Sequence, residues 1–314
     1  MENKPTTKEL VGEYLDFYKH SPQSVSMRRS NLKYFFEDQY FGYQDHVFDI
    51  TTSILKKYFI YLKNLSHLSL ETRKNKWKIL TSFMGFVMED HEEFNVTIPR
   101  KRVSWKGFVP QDEEKVISNS NVICDEEEIV KICNHFKDTN FKHYLIFRMM
   151  IETGIRKGSL INASIKDLNL NYRHLRIRKG KTGEKIYNFS EDYKKLLEIY
   201  LKERNAINTD NNYLFLTNSH NKYALRTLNE ILQGNGRTKS VLERLGIYKQ
   251  ISCKTFRSTL NTLRKKKMGC DNDTAKILLG HSVPDVNINN YTKYDYQWLR
   301  DLFDQYNPYK ELNL

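Results

Sequence analysis

Leu278-Leu279-Gly280-His281-Ser282 is the stretch around which the chain is organised, and Tyr291 follows ten residues after its histidine. Gly280 is typical of a helix end, and Ser282 is typical of the cap of the next helix. The pattern predicts a short helix from about Val283 to Asn290. That helix would join a histidine at a tight turn to a phenol at its far end.

Composition predicts a folded, basic protein that is large enough for two domains. The 314 residues suffice for two hydrophobic cores, and 39% hydrophobic residues exclude a disordered chain. A mean hydropathy of -0.67 indicates a soluble protein. Lysine and arginine number 51 against 38 acids, which gives a net charge of +13. This balance favours a polyanionic partner such as nucleic acid, although a surface of solvated lysines remains an alternative.

Cysteine usage and hydropathy predict a cytoplasmic protein without a membrane segment. The four cysteines lack the paired spacing of a zinc site or a disulfide framework. The polar stretch Met1–Val11 does not have the pattern of a signal peptide. The longest apolar run, Tyr144–Phe147, is interrupted by Arg148 and is too short to cross a bilayer.

Hydrophobic residues recur at helical spacing over residues 1–97, and this pattern predicts a domain of four helices. The polar faces of these helices are basic, and they suit phosphate contacts and a solvated surface about equally. The basic residues concerned are Arg28, Arg29, Lys33, Lys56, Lys57, Arg73, Lys74, Lys76 and Lys78.

The periodicity fails over residues 98–122, where prolines and basic residues predict an interdomain linker. Residues 123–314 then predict a second domain that is mainly α with one β-hairpin. The strand-like segments are Leu175–Arg178 and Ile186–Phe189, with Thr182-Gly183 as the turn between them. The whole chain is therefore expected to be mainly α.

Several residues of the second domain have the chemistry needed to cleave a phosphodiester without a metal. Such a reaction requires fixed cations on the non-bridging oxygens, a nucleophile and a proton for the leaving oxygen. Arginine is the preferred residue for neutralising phosphate, because its guanidinium group is always charged and can donate two parallel hydrogen bonds. Thr153-Gly154-Ile155-Arg156 places one arginine at a turn. Lys254 and Arg257 share the face of a helix because they are three residues apart.

Lys181 lies at the tip of the predicted hairpin, in the sequence Lys-Thr-Gly. Lys179 and Lys185 are each an even number of residues from Lys181, so the three side chains are expected on the same face of the hairpin. Both are therefore rivals for any role given to Lys181. His281 and Tyr291 complete the set of candidate residues.

The order of these motifs resembles the tyrosine recombinase (phage integrase) family across the whole second domain, and the basic helical first domain is similar to the family's core-binding domain. The resemblance implies that Arg156 and Arg257 clamp the scissile phosphate and that His281 donates a hydrogen bond to it. Lys181 would protonate the 5′-oxygen. Tyr291 would attack and form a 3′-phosphotyrosyl link. The resemblance implies neither a metal nor a cofactor.

The chain departs from the family pattern at three positions. Lys254 replaces the usual histidine, and Ser159 replaces an acid. The interval from His281 to Tyr291 is one residue longer than usual, so Tyr294 is a rival nucleophile. In having a lysine at this position, the chain resembles some archaeal and mobile-element members of the family.

The partners implied are double-stranded DNA and further copies of the chain, as a dimer or a tetramer on DNA, with no small-molecule substrate. The alternatives are a type IB topoisomerase-like enzyme, a catalytically inactive DNA-binding regulator and a generic helical nucleic-acid-binding module. An amphipathic helix is predicted around Trp298 and Phe303. Docking of this helix on a neighbouring protomer and packing on its own domain are both open.

Overall fold

A computed structural model divides the chain into two compact units, Met1–Val116 and Ile117–Leu314. The structure describes residues 4–92, 94–99, 105, 122–180, 183–235, 238–280, 295–312 and 314. Lys181, His281 and Tyr291 lie outside these residues, as does the predicted helix over residues 283–290. The predicted boundaries of the first domain, the linker and the second domain stay predictions.

The first unit contains the four helices predicted from the hydrophobic spacing. They are α1 (Thr7–Asp16), α2 (Pro22–Phe36), α3 (Thr52–Asn64) and α4 (Leu70–Asp90). Each helix begins after a serine or threonine whose side chain accepts a hydrogen bond from a backbone N–H of the first turn. Their apolar faces meet in one core, which includes Leu10, Phe35, Leu55, Tyr58, Leu62, Phe83 and Val87.

The second unit is also mainly helical. Its helices are α5 (Glu126–Thr139), α6 (Phe141–Thr153), α7 (Lys157–Ile161), α8 (Glu191–Ala206), α9 (Thr227–Gln233), α10 (Val241–Arg244), α11 (Cys253–Lys266), α12 (Asn272–Leu278) and α13 (Tyr296–Gln305). The residues from Tyr144 to Thr153 of α6 are all buried, so this helix forms the centre of the core. A helix that is apolar on most of its surface is expected to be covered on all sides.

The small sheet has three antiparallel strands in the order β1 (Leu168–Asn169), β2 (His174–Gly180) and β3 (Gly183–Asn188). The hairpin β2–β3 confirms the strand pair predicted from the sequence. Strand β1 was not predicted, because two residues are too few to show an alternating pattern. In the hairpin, Ile177 lies opposite Lys185. This register sets which residues of β2 and β3 lie opposite each other.

The C-terminal residues pack on their own unit. Leu299 and Phe303 of α13 are buried, and so are Tyr309 and Leu314 beyond it. The buried Arg264 of α11 donates from Nε to the carbonyl oxygen of Tyr306 at 3.3 Å. Of the two arrangements left open by the sequence, the structure shows the tail on its own domain.

A buried ion pair joins α6 to the start of α8. Arg148 Nε lies 2.7 Å from Glu152 Oε1, and the side chains of these two residues are 7% and 2% exposed. Glu152 also accepts hydrogen bonds from the backbone N–H and the hydroxyl of Ser190. Arg148 donates in addition to the hydroxyl of Tyr144 and to the backbone oxygen of Leu314. The pair therefore connects α6 with Ser190 at the start of α8 and with Leu314 inside the core.

We expect Arg148→Met to be strongly destabilising, because it leaves the Glu152 carboxylate buried without its cation. Removing one partner of a buried pair costs about 3–5 kcal/mol. For a unit of this size that loss corresponds to a fall in Tm of roughly 10 °C. Arg226→Met is the matched control, since the Arg226 side chain is 85% exposed and its pair with Glu230 lies on the surface. Thermal unfolding measures both variants, and equal Tm values would contradict the prediction.

Candidate active site

The turn Thr153-Gly154-Ile155-Arg156 is built by the end of α6. The Thr153 hydroxyl donates to the carbonyl oxygen of Met149 at 2.6 Å and accepts from the N–H of Ile155 at 3.1 Å. Gly154 has a φ of +65°, the left-handed conformation that ends many helices. Ile155 is buried in the core, whereas the side chain of Arg156 is exposed. The turn therefore fixes the backbone of Arg156 and directs its side chain outward.

Gly154 is also the point where three helices meet. A Cβ atom at this position would lie 2.7 Å from Leu279 Cδ2 and 3.1 Å from Leu260 Cδ2. Leu279 follows α12, and Leu260 is part of α11. The lack of a side chain at Gly154 thus allows the ends of α6 and α12 to approach α11 closely.

Arg257 is held in place by two backbone carbonyls at this meeting point. Its Nη1 donates to the oxygen of Gly154 at 2.5 Å, and its Nη2 donates to the oxygen of Leu279 at 2.8 Å. Burial lowers the pKa of Arg257, and the nearby Arg156 lowers it further, while Tyr187 acts in the opposite direction. A guanidinium has five N–H donors, so it can bind carbonyls and a phosphate together. The site therefore brings Arg156 and Arg257 close to each other.

Strand β3 contributes Lys185 and Tyr187 to the same place. The two side chains share a face of the strand because they are two residues apart. Tyr187 is fully buried, and its phenol interacts with Arg257. Burial lowers the pKa of Lys185, and Arg156 and Arg257 lower it further. Lys185 thus lies beside Gly280, and its charge interacts with those of Arg156 and Arg257.

The structure places some of the predicted site residues and leaves others untested. The charges of Arg156 and Arg257 interact, and the catalytic roles given to both residues stay predictions. Lys254 is exposed in the first turn of α11. Lys181, His281 and Tyr291 lie outside the described residues, so their roles stay predictions.

Sequence reasoning gave Lys185 only as a rival on the ribbon and missed Tyr187 altogether. The available signal for Lys185 was its even spacing from Lys181, which predicts that both side chains share a face of the hairpin. No sequence signal marked Tyr187, which is one of twenty tyrosines.

The basic faces predicted for the first unit are smaller than expected. Arg28 stacks over the Tyr18 ring at 3.5 Å, and Lys76 lies 3.1 Å from the centre of the Tyr34 ring. Burial lowers the pKa of Lys76 to about 8. Arg73 donates to the backbone oxygens of Lys63 and Leu68. The exposed cations that remain from the predicted set are Arg29, Lys33, Lys56, Lys57 and Lys78.

Within the described residues, His, Cys, Asp and Glu do not form a cluster that could hold a metal ion. In the same part of the chain, every helix is too short or too polar to cross a membrane.

We expect Gly154→Ala to lower both stability and activity, because its Cβ would collide with Leu279 and the backbone there is left-handed. Such strain costs about 1–3 kcal/mol, which is roughly 5 °C in Tm for a unit of this size. Gly158→Ala is the matched control, because its Cβ would meet only Leu225 Cδ2 at 3.5 Å. The measurements are thermal unfolding and the rate of DNA cleavage. A Gly154→Ala protein that melts like Gly158→Ala would show that the close approach is unimportant.

Solved structures with a similar fold are enzymes of one class. The chain superposes on the Tn1549 transposon integrase in complex with transposon right end DNA, with a TM-score of 0.61 and 15% identity over 96% of this chain and 99% of that one. It superposes on the XerH site-specific recombinase bound to its difH substrate with a TM-score of 0.61 and 17% identity, covering 89% and 78% of the two chains. For a lambda integrase tetramer bound to a Holliday junction, the TM-score is 0.59, the identity is 15% and the coverage is 94% and 81%. The fold is that of the tyrosine recombinases.

Comparison of the sequences gives the family. Residues 123–297, more than half of the chain, match the phage integrase family, and the chain belongs to it. The tyrosine recombinase XerC of Leptospira interrogans is 25% identical over 280 residues, which are 88% of this chain and 85% of XerC. The tyrosine recombinase XerA of Saccharolobus solfataricus is 37% identical over 83 residues, and this match spans only 28% of XerA and 26% of this chain. The resemblance inferred from the order of the motifs is confirmed.

Proposed function

We propose that the chain is a site-specific DNA recombinase that cleaves and rejoins strands through a 3′-phosphotyrosyl link to Tyr291. The observation that carries the proposal is that Arg257 donates to the backbone oxygens of Gly154 and Leu279, directly before the predicted His281, while its charge interacts with that of Arg156. Arginines that act together at one turn suit an anionic ligand, and a phosphodiester is the ligand the family implies.

The proposed step conserves the energy of the broken bond. The Tyr291 hydroxyl gives its proton to solvent as its oxygen forms a bond to phosphorus, and the bond from phosphorus to the 5′-oxygen breaks. Arg156 and Arg257 neutralise the non-bridging oxygens, whose negative charge grows in the transition state. Lys181 supplies the proton that the leaving 5′-oxygen takes up. Reversal with a new 5′-hydroxyl releases Tyr291 and seals the strand, so the reaction needs no metal or nucleotide.

The partners proposed are double-stranded DNA and further copies of this chain. The net charge of +13 and the exposed cations on α2, α3 and α4 support binding to a phosphate backbone. The structural similarity to proteins solved on DNA supports a dimer or tetramer on DNA, and the likeness to a transposon integrase supports an origin in a mobile genetic element.

The test is a search for a covalent complex on DNA of unknown target sequence. The probe is a library of nicked duplexes with randomised arms, in which cleavage beside the nick releases a short fragment and prevents religation. Molecules that stay attached to the protein in SDS are recovered and sequenced, and the modified peptide is mapped by mass spectrometry. We expect one enriched duplex and a modified Tyr291. Failure to enrich any duplex over repeated rounds would refute the proposal.

Recombination between two copies of the enriched duplex on one plasmid separates a site-specific recombinase from a topoisomerase-like enzyme. We expect the plasmid to be rearranged only when it carries both copies. Relaxation of a plasmid that lacks the duplex would favour the topoisomerase-like alternative.

A further inference from the structure

Lys185 is a buried lysine whose position none of the roles proposed above explains. It lies on β3 opposite Ile177, and only 7% of its surface is exposed. Lysine is almost never buried to this extent unless an opposite charge or a ligand compensates it. Its neighbour Glu184 projects from the opposite face of the strand and pairs with Arg176. The burial of Lys185 therefore needs another explanation.

Packing holds the stem of Lys185 against Gly280. Gly280 has a φ of +62°, and a Cβ there would lie 3.2 Å from both Cβ and Cδ of Lys185. The methylene groups thus run along the backbone of the turn that precedes position 281. A lysine stem can cover apolar surface while its ammonium group stays in a polar environment. The position of the ammonium group is therefore set by the contact between β3 and this turn.

Among the residues that the structure describes, the charges that shift the pKa of Lys185 are of the same sign as its own. Burial lowers its pKa most, and Arg156 and Arg257 lower it further. Bringing like charges together costs free energy, and a bound anion reverses that cost. Three neighbouring cations therefore favour the binding of a phosphate. Binding of that anion also keeps the ammonium group protonated.

We propose that Lys185 is a further phosphate-binding residue of the active site, which neutralises a non-bridging oxygen of the scissile phosphate beside Arg156 and Arg257. This inference rests on the proposed function. In the step given above, Lys185 keeps its proton throughout, and the proton for the 5′-oxygen still comes from Lys181. The role of Lys185 is thus separate from that of the hairpin lysine.

The test compares Lys185→Met with the wild type on three versions of the enriched duplex. Methionine keeps the length of the stem that packs on Gly280 and removes the charge. The scissile group is a phosphodiester, a methylphosphonate that lacks one non-bridging charge, or a 5′-phosphorothiolate whose leaving group needs no proton. Lys195→Met is the matched control, since the Lys195 side chain is 66% exposed on α8.

We expect Lys185→Met to cleave the phosphodiester about 10²-fold more slowly than the wild type, as for the loss of one transition-state contact. On the methylphosphonate the difference should shrink to within roughly tenfold, because the charge that Lys185 neutralises is absent. The phosphorothiolate should not restore the rate of this variant. Lys195→Met should behave like the wild type on all three duplexes.

Three results would overturn the inference. A Lys185→Met protein with wild-type cleavage of the phosphodiester shows that the ammonium group is unnecessary. Rescue by the phosphorothiolate alone assigns the proton transfer to Lys185 instead. An equal defect on all three duplexes indicates a structural role, because misfolded protein lowers every rate alike. A wild-type protein that never forms a covalent complex refutes the proposed function itself, which is a different failure.

Discussion

A Tyr291→Phe protein is expected to form no covalent complex with the enriched duplex, while it still binds that duplex. The substitution removes only the phenolic oxygen, which is the atom proposed to attack phosphorus. The cations at Arg156, Arg257 and Lys185 are untouched, so the affinity for DNA should stay near that of the wild type. The measurements are SDS-resistant attachment for cleavage and gel retardation for binding.

Tyr294→Phe is the matched control for this experiment, because it lies three residues away and is the rival nucleophile. We expect it to form the covalent complex at a rate close to that of the wild type. The opposite result, with loss of attachment in Tyr294→Phe and retention in Tyr291→Phe, would move the nucleophile to Tyr294.

The second large effect is expected at Arg257. Arg257→Lys keeps a positive charge but loses the planar fork that reaches the carbonyl oxygens of Gly154 and Leu279. Removing one preorganised donor of a transition-state oxyanion lowers a rate by about 10²–10³-fold. We expect a loss of cleavage of this size, measured as the rate of covalent attachment in a single turnover.

The same substitution should also lower the Tm modestly, because two hydrogen bonds are lost, each contributing about 1 kcal/mol. Lys266→Met is the control, since it removes an exposed cation from the same helix. A cleavage defect in Arg257→Lys no larger than that of Lys266→Met would exclude Arg257 from the phosphate clamp. A large fall in Tm with a small cleavage defect would assign Arg257 a purely structural role.

Much of the fold was predictable because its signals are local. Helical spacing of apolar residues predicted the four helices of the first unit. Phe256 and Leu260 of α11 are both fully buried and lie four residues apart, on one face of the helix. Helix ends depend on backbone partners that a spacing pattern does not contain.

The cations of the first unit show where local signals fail. Sequence spacing placed Arg28, Arg73 and Lys76 on polar helix faces together with Arg29 and Lys78. In the structure the first three contact aromatic rings or backbone oxygens of their own unit. Spacing indicates which residues share a helix face but not which rings or carbonyls from other segments cover that face.

By itself, the sequence determined the class of this protein, because the order of Arg156, Lys181, Arg257, His281 and Tyr291 is a property of the chain alone. Only the tertiary structure showed that Lys185 packs beside Gly280 and that its charge interacts with those of Arg156 and Arg257. From the sequence, Lys179, Lys181 and Lys185 were equivalent, because their even spacing predicts only that the three side chains share one face of the hairpin. The contact of Lys185 with Gly280 depends on the packing of a turn nearly a hundred residues away in sequence. Close packing between distant segments selects such a side chain, and no local pattern encodes that choice.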